Sequence, residues 1–276
     1  MKKKICLIHA NCQGEPLEKL LHLSPIFTEE YETRHITNYL REPIPEELIT
    51  GCDLFLYQYL GENWENLGSA FLCSCLKDSA QSIAFPSMFF KNYWPLWTNT
   101  PGLDFPDIFL ESLLERELTE SQILHLYLKT RLSKIYDLDE LCAASEQQEN
   151  KKESFTPIKY VELIRSQFRH RRLFNTVNHP RKELMVHTAD NILEMLGMPA
   201  LPEQAVADFP ETFPEFELPI HPQVAEHLGL EFGGSDEKYH VYGADLTFEE
   251  YVVRYIKCRR NNITDFIGFL YAAARR

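Results

Sequence analysis

Residues 2–23 read KKKICLIHANCQGEPLEKLLHL, and this stretch decides the fold. Ile5, Leu7 and Ile8 make a short apolar run, Asn11-Cys12-Gln13-Gly14 a polar turn, and Pro16 stands where a first helical residue tolerates a missing N–H. The pattern predicts a buried strand, a tight turn and an amphipathic helix. Cys12 then falls at the carboxyl end of a strand and beside the amino end of a helix, the edge where open α/β sheets bind ligands. Free N–H groups and the helix dipole favour an anion there by about 0.3–1 kcal/mol. A thiol so placed is expected to titrate below its usual value of about 8.5 and to act as a nucleophile. The competing reading is a compact, buried hydrophobe.

Working outward, Tyr31 to Asn38 reads as a second strand, Glu46 to Thr50 as a short helix, and DLFLYQ (53–58) as a central parallel strand. Ser69 to Lys77 is a predicted helix and QSIAF (81–85) a further buried strand. Strands alternating with helices imply a parallel sheet with right-handed crossovers, hence an α/β fold with flanking helices. Residues 1–105 would form the amino-terminal part of that core, 106–172 a helical insertion or lid, and 173–276 the part completing the core. Within 106–172 the expected helices are Pro106–Glu117, Thr119–Lys134 with a capping box at Thr119 and Gln122, Asp137–Asn150 and Thr156–Arg171. LFNTV (173–177) returns to strand character and leads through Asn178-His179-Pro180 into a helix from Arg181 to Leu196.

Composition narrows the function. The formal charge of −13 speaks against nucleic acid or an anionic membrane as partner. No apolar run approaches the roughly 18 residues of a membrane span, and the lysine-led amino terminus lacks a signal-peptide pattern. A cytoplasmic protein is expected. Seven scattered cysteines suit free thiols in a reducing compartment. Cys73 and Cys75 form the one close pair, with no partner pair at zinc spacing, so no metal is expected.

Pro180 at a first helical position would put His179 near a helix cap, where positive potential keeps imidazole neutral and fit to act as a base toward Cys12. A structural cap is the plainer reading. Arg165, Arg169 and Arg172, at i, i+4 and i+7, would share a helix face suited to phosphate groups, or would pair with the chain's many carboxylates. The aromatic stretch Ser87 to Phe105, with Trp94 and Trp97, reads as a covering loop or a pocket wall.

ANCQ after the first strand, DLFLYQ, IAFP and FNTVNHP together resemble the WcbI-type family of polysaccharide-biosynthesis acetyltransferases, whose layout is also similar to SGNH hydrolases. Ala10 stands where that family usually has glycine. Thr176 stands where SGNH enzymes carry an acid three residues before the histidine. The resemblance implies coenzyme A (acetyl-CoA) as acyl donor and a carbohydrate hydroxyl as acceptor. Cys12 would be the reactive centre, Asn11 and Gln13 its turn partners and His179 the base; Arg165, Arg169, Arg172, Trp94 and Asn178 would hold the cofactor. Asp190, Asp245 and Glu15 are the carboxylates considered for supporting His179. A cysteine esterase and a non-catalytic coenzyme A or sugar-binding module remain as alternatives.

Overall fold

A computed structural model describes residues 2–274. Its elements begin β1 (Lys4–Ala10), α1 (Gly14–Leu21), α2 (Pro25–Glu30), β2 (Tyr31–Thr37), α3 (Glu46–Gly51), β3 (Leu54–Gln58), α4 (Ser69–Ser74) and β4 (Gln81–Phe85). Four helices follow: α5 (Ile108–Leu114), α6 (Glu120–Lys129), α7 (Leu138–Glu153) and α8 (Val161–Gln167). Next come β5 (Phe174–Thr176), β6 (His179–Pro180), α9 (Lys182–Met195) and α10 (Glu203–Asp208). The chain closes with α11 (Pro222–Leu228), the hairpin β7 (Lys238–Val241) and β8 (Ala244–Thr247), α12 (Phe248–Arg260) and α13 (Phe266–Ala274). No described helix is long and apolar enough to cross a membrane.

Two compact units emerge from this chain. One takes the residues up to Phe89 with Gln148–Arg165 and His179–Thr212; the other takes Phe90–Gln147, Ser166–Asn178 and the described residues from Phe213. The first unit holds a four-stranded, all-parallel sheet in the order β2-β1-β3-β4. That is the start of a doubly wound 2-1-3-4-5 order. In register, Ile8 lies opposite His35 and Leu56, and Leu56 opposite Ile83. The apolar run reads as it does because β1 is central: Cys6, Leu7, Ile8 and Ala10 are all fully buried. Leu7 and Phe55 pack with Ile49, Cys52 and Leu72 on one face. On the opposite face, set by the alternation of side chains, α1 packs against β1, β2 and α9. Gly14 allows this approach, since a Cβ there would run into the His35 ring and the Ala10 side chain.

Three sequence expectations fail at element ends. Residues 174–176 form a strand, but it belongs to the second unit and is not part of the four-stranded sheet, so the second turn does not repeat the first. Helix α8 stops at Gln167, which removes the helical face expected to align Arg165, Arg169 and Arg172. Pro180 lies in β6 rather than at a first helical position; Arg181 is the cap and α9 begins at Lys182. In the second unit, the capping box at Thr119 and Gln122 is present, and the β7–β8 hairpin turns at Tyr242 and Gly243. Both turn residues have positive φ, 49° and 89°, as a two-residue hairpin of this twist requires.

Candidate active site

The turn after β1 is fixed by amides. Asn11 Oδ1 accepts from Gln13 N at 2.8 Å while the Asn11 carbonyl accepts from Gly14 N at 2.9 Å, which bends the chain off the strand into α1. Gln58, the last residue of β3, reaches across: its Oε1 accepts from Asn11 N at 2.9 Å, and its Nε2 donates to Gln13 Oε1 and Pro86 O, both at 3.1 Å. Gln13 completes the set by donating Nε2 to Met88 O at 2.7 Å and accepting from Met88 N at 3.1 Å. The loops leaving β1, β3 and β4 are thus tied into one buried network. Each group left unpaired there would cost about 1–3 kcal/mol.

A second layer holds the loop after β4. Lys152 Nζ donates to Ser87 O at 2.6 Å and pairs with Glu149 at 2.7 Å. The Glu149 carboxylate also accepts from Phe89 N at 3.0 Å and from the Tyr160 hydroxyl at 3.1 Å. Ser87 in turn is within 3.4 Å of Asn11 Nδ2. Gln58, Ser87, Glu149 and Lys152 escaped the sequence reading. Only Gln58 left a signal, as a polar residue ending a continuous apolar run.

Within this frame Asn11 and Cys12 are half-buried, whereas Gln13 and Gly14 are fully covered. Cys12 does not titrate as its position suggested. Burial pushes its thiol up to about 11, outweighing the Cys12 and Gln13 main-chain N–H groups that favour the thiolate. The amide donors of the helix start do act on the sulfur; desolvation is the larger effect. Gln13 has its side-chain amide engaged with Met88 and Gln58, which makes it a brace of the turn.

His179 belongs to the same unit, three residues before α9, and α9 packs on α1, which begins two residues after Cys12. Its imidazole is neutral, as a base must be, but burial and not a helix cap is the cause: the pKa is lowered to about 4. The entry to α9 is held from a distance. Glu211 accepts from Lys182 N and from Arg181 Nε, and Thr212 Oγ1 donates to Pro180 O at 2.7 Å. The three carboxylates considered as its support are engaged elsewhere: Glu15 with Lys19, Asp190 with Leu201 N, and Asp245 with His240 in the second unit.

The expected cofactor residues are divided between the units. Arg165, in the first, is exposed and paired with Glu162. In the second unit, Arg169 donates to Leu228 O at 2.9 Å and lies over Phe168. Arg172 donates to the Phe174, Asn175 and Leu218 carbonyls and faces Trp94 and Tyr239. These bonds tie its fork to carbonyls of its own unit. Trp94 is buried and donates its indole N–H to Leu218 O and Pro219 O. Asn178 accepts from the Thr176 hydroxyl at 3.1 Å. Among the described residues no group of three or more His, Cys, Asp or Glu is placed to hold a metal ion.

Comparison with known proteins adds two findings. The family described as polysaccharide biosynthesis enzyme WcbI matches residues 5–201. A solved structure of WcbI, described as a novel polysaccharide biosynthesis enzyme and as the native protein without a disulfide bond between coenzyme A and one of its cysteines, has a similar fold. The TM-score is 0.75 at 19% identity, covering 99% of this chain and 95% of that one. No curated protein matches the chain in sequence.

Proposed function

This chain belongs to the WcbI family of polysaccharide biosynthesis enzymes, and from that membership we propose that it transfers an acyl group from coenzyme A to a sugar hydroxyl at the Cys12 turn. The observation that carries the reading is the half-buried Cys12 thiol on a braced turn at the carboxyl edge of a parallel sheet, with a neutral histidine in the same unit. The description of the solved WcbI structure, which names coenzyme A and a cysteine of that protein together as free of a disulfide between them, supports placing the donor's sulfur near Cys12.

Residues present here fit a thioester. Cys12 Sγ is the nucleophile, and His179 takes its proton as the sulfur–acyl bond forms and the thioester C–S bond breaks; that proton leaves with the coenzyme's thiol. In the second half His179 takes the proton of the acceptor hydroxyl as its oxygen bonds the acyl carbon; the acyl–Sγ bond then breaks and His179 returns the proton to the leaving Cys12 sulfur. Asn11 Nδ2 and the main-chain N–H of Cys12 stabilise the oxyanion. With the proton resting on sulfur, base and attack must act together. The thiol therefore stays unreactive until a thioester is in place.

The test uses the intact protein with acetyl-coenzyme A, with and without sugar acceptors, reading free thiol released and the mass of each cysteine-bearing peptide. Expected is an acetyl adduct on Cys12 that an acceptor discharges, absent in Cys12→Ser. Release that ignores sugars would favour an esterase, and binding without release under every acceptor would favour a binding module.

A further inference from the structure

The second unit holds a partly open cavity of about 50 Å³, walled by Trp94, Trp97, Tyr127, Phe248 and Tyr251 with Asp107 beside them. On this measure one water needs roughly 10–15 Å³, so the space suits a guest of a few heavy atoms. The walls are built, not fortuitous. Trp97 bridges Asp107 through the main chain, Ile108 N donates to Leu96 O at 2.9 Å, and Thr98 N donates to Pro106 O at 3.0 Å.

Charge decides what kind of guest. Asp107 Oδ1 caps α5 through Phe109 N and Leu110 N, both at 2.9 Å, and its Oδ2 accepts from the Tyr127 hydroxyl at 3.0 Å. Among the described residues no lysine or arginine lines the cavity; Lys91 and Arg172 lie over the Trp97 and Trp94 rings, 5.5 and 5.8 Å from their centroids, without being part of the lining. The nearby Glu111 has its own cation, Arg259, at 3.0 Å. Among the described residues Asp107 therefore has hydrogen bonds but no counter-charge in the cavity, and a buried carboxylate is costly until it is paired. Tyr251 is 6% exposed and its hydroxyl has no hydrogen-bond partner among the described residues. Asp104 and Asp107 both lend that hydroxyl a negative surrounding. Aromatic faces likewise attract cations, most strongly when desolvated.

We infer that this cavity is a binding site for a small organic ammonium ion, held among the aromatic faces beside Asp107, with the Tyr251 hydroxyl available to a polar group of the ligand. The site stands apart from the acyl-transfer reading and does not depend on it.

The probes are choline and tetramethylammonium, set against neohexanol, the neutral isostere of choline, with calorimetry and tryptophan fluorescence on the full chain. Both cations are expected to bind about tenfold or more tightly than neohexanol. Asp107→Asn, which keeps a good helix cap, is expected to erase that preference; Tyr251→Phe should weaken choline a few-fold and leave tetramethylammonium unchanged. Equal binding of cation and isostere, or binding of none, overturns the inference. Should Asp107→Asn fail to fold, the cation-to-isostere ratio of the natural protein decides by itself.

Discussion

Two passages from an extended segment into a helix in the sheet unit, at Ala10–Gly14 and at His179–Lys182, are held by different means. The first is braced from within and across the sheet: Asn11 on Gln13, and the side chain of Gln58 arriving from the adjacent strand. The second is braced by Glu211 and Thr212, about thirty residues further along. Burial overrules position in both. Cys12 stands beside a helix start yet its thiol is pushed up to about 11, and His179 is driven down to about 4 without being a cap. The lesson is that a dipole contribution of about 0.3–1 kcal/mol is small beside desolvation that moves a pKa by two units at about 1.4 kcal/mol each.

The sharpest way to break the comparison is to remove each reactive group. His179→Ala is expected to slow acyl transfer roughly 10²–10⁴-fold with little change in coenzyme A affinity, and Cys12→Ser at least as much. Steady-state kinetics that showed a large loss for one passage only would assign both halves of the chemistry to that passage. Next in size is Gln58→Leu. It leaves Asn11 N, Gln13 Oε1 and Pro86 O facing an apolar side chain, and denaturant unfolding should show a loss of about 3 kcal/mol or more.

The histidine's depressed pKa gives a stability signature with a defined sign. His179 titrates near 4 folded, against 6.5 for a free imidazole. Between those values the unfolded chain binds more protons, so stability is complete above pH 6.5 and is lost as pH falls toward 4. His179→Gln should flatten that decline by about 3 kcal/mol, read from unfolding midpoints across the window. Smaller is Gly14→Ala. The added methyl meets His35 and Ala10, and a cost of about 1–3 kcal/mol is expected, read from the same unfolding curves.

Legibility in the sequence follows the division between near and far. The four strands of the main sheet, their parallel direction and the Cys12 turn are readable because periodicity, Gly14 and Pro16 are local signals. The end of α8 at Gln167 was not, because FRHRRL carries neither glycine nor proline, and Arg169 and Arg172 turn instead to carbonyls far along the chain. The start of α9 was misplaced by two residues for a like reason: its capping carboxylate, Glu211, comes from outside any local window. Gln13 reads as a turn partner of Cys12, but its bracing bond to Met88, 75 residues away, lies outside any local window.

The account turns on where the proton rests before substrate arrives, and the pH dependence of Cys12 alkylation measures this directly. Iodoacetamide labelling of the free protein, followed on the Cys12 peptide, should rise steadily with pH through 9 and show no plateau near neutrality, in keeping with a thiol near 11. A plateau already reached below pH 7, abolished by His179→Ala, would mean a standing thiolate–imidazolium pair and would contradict it.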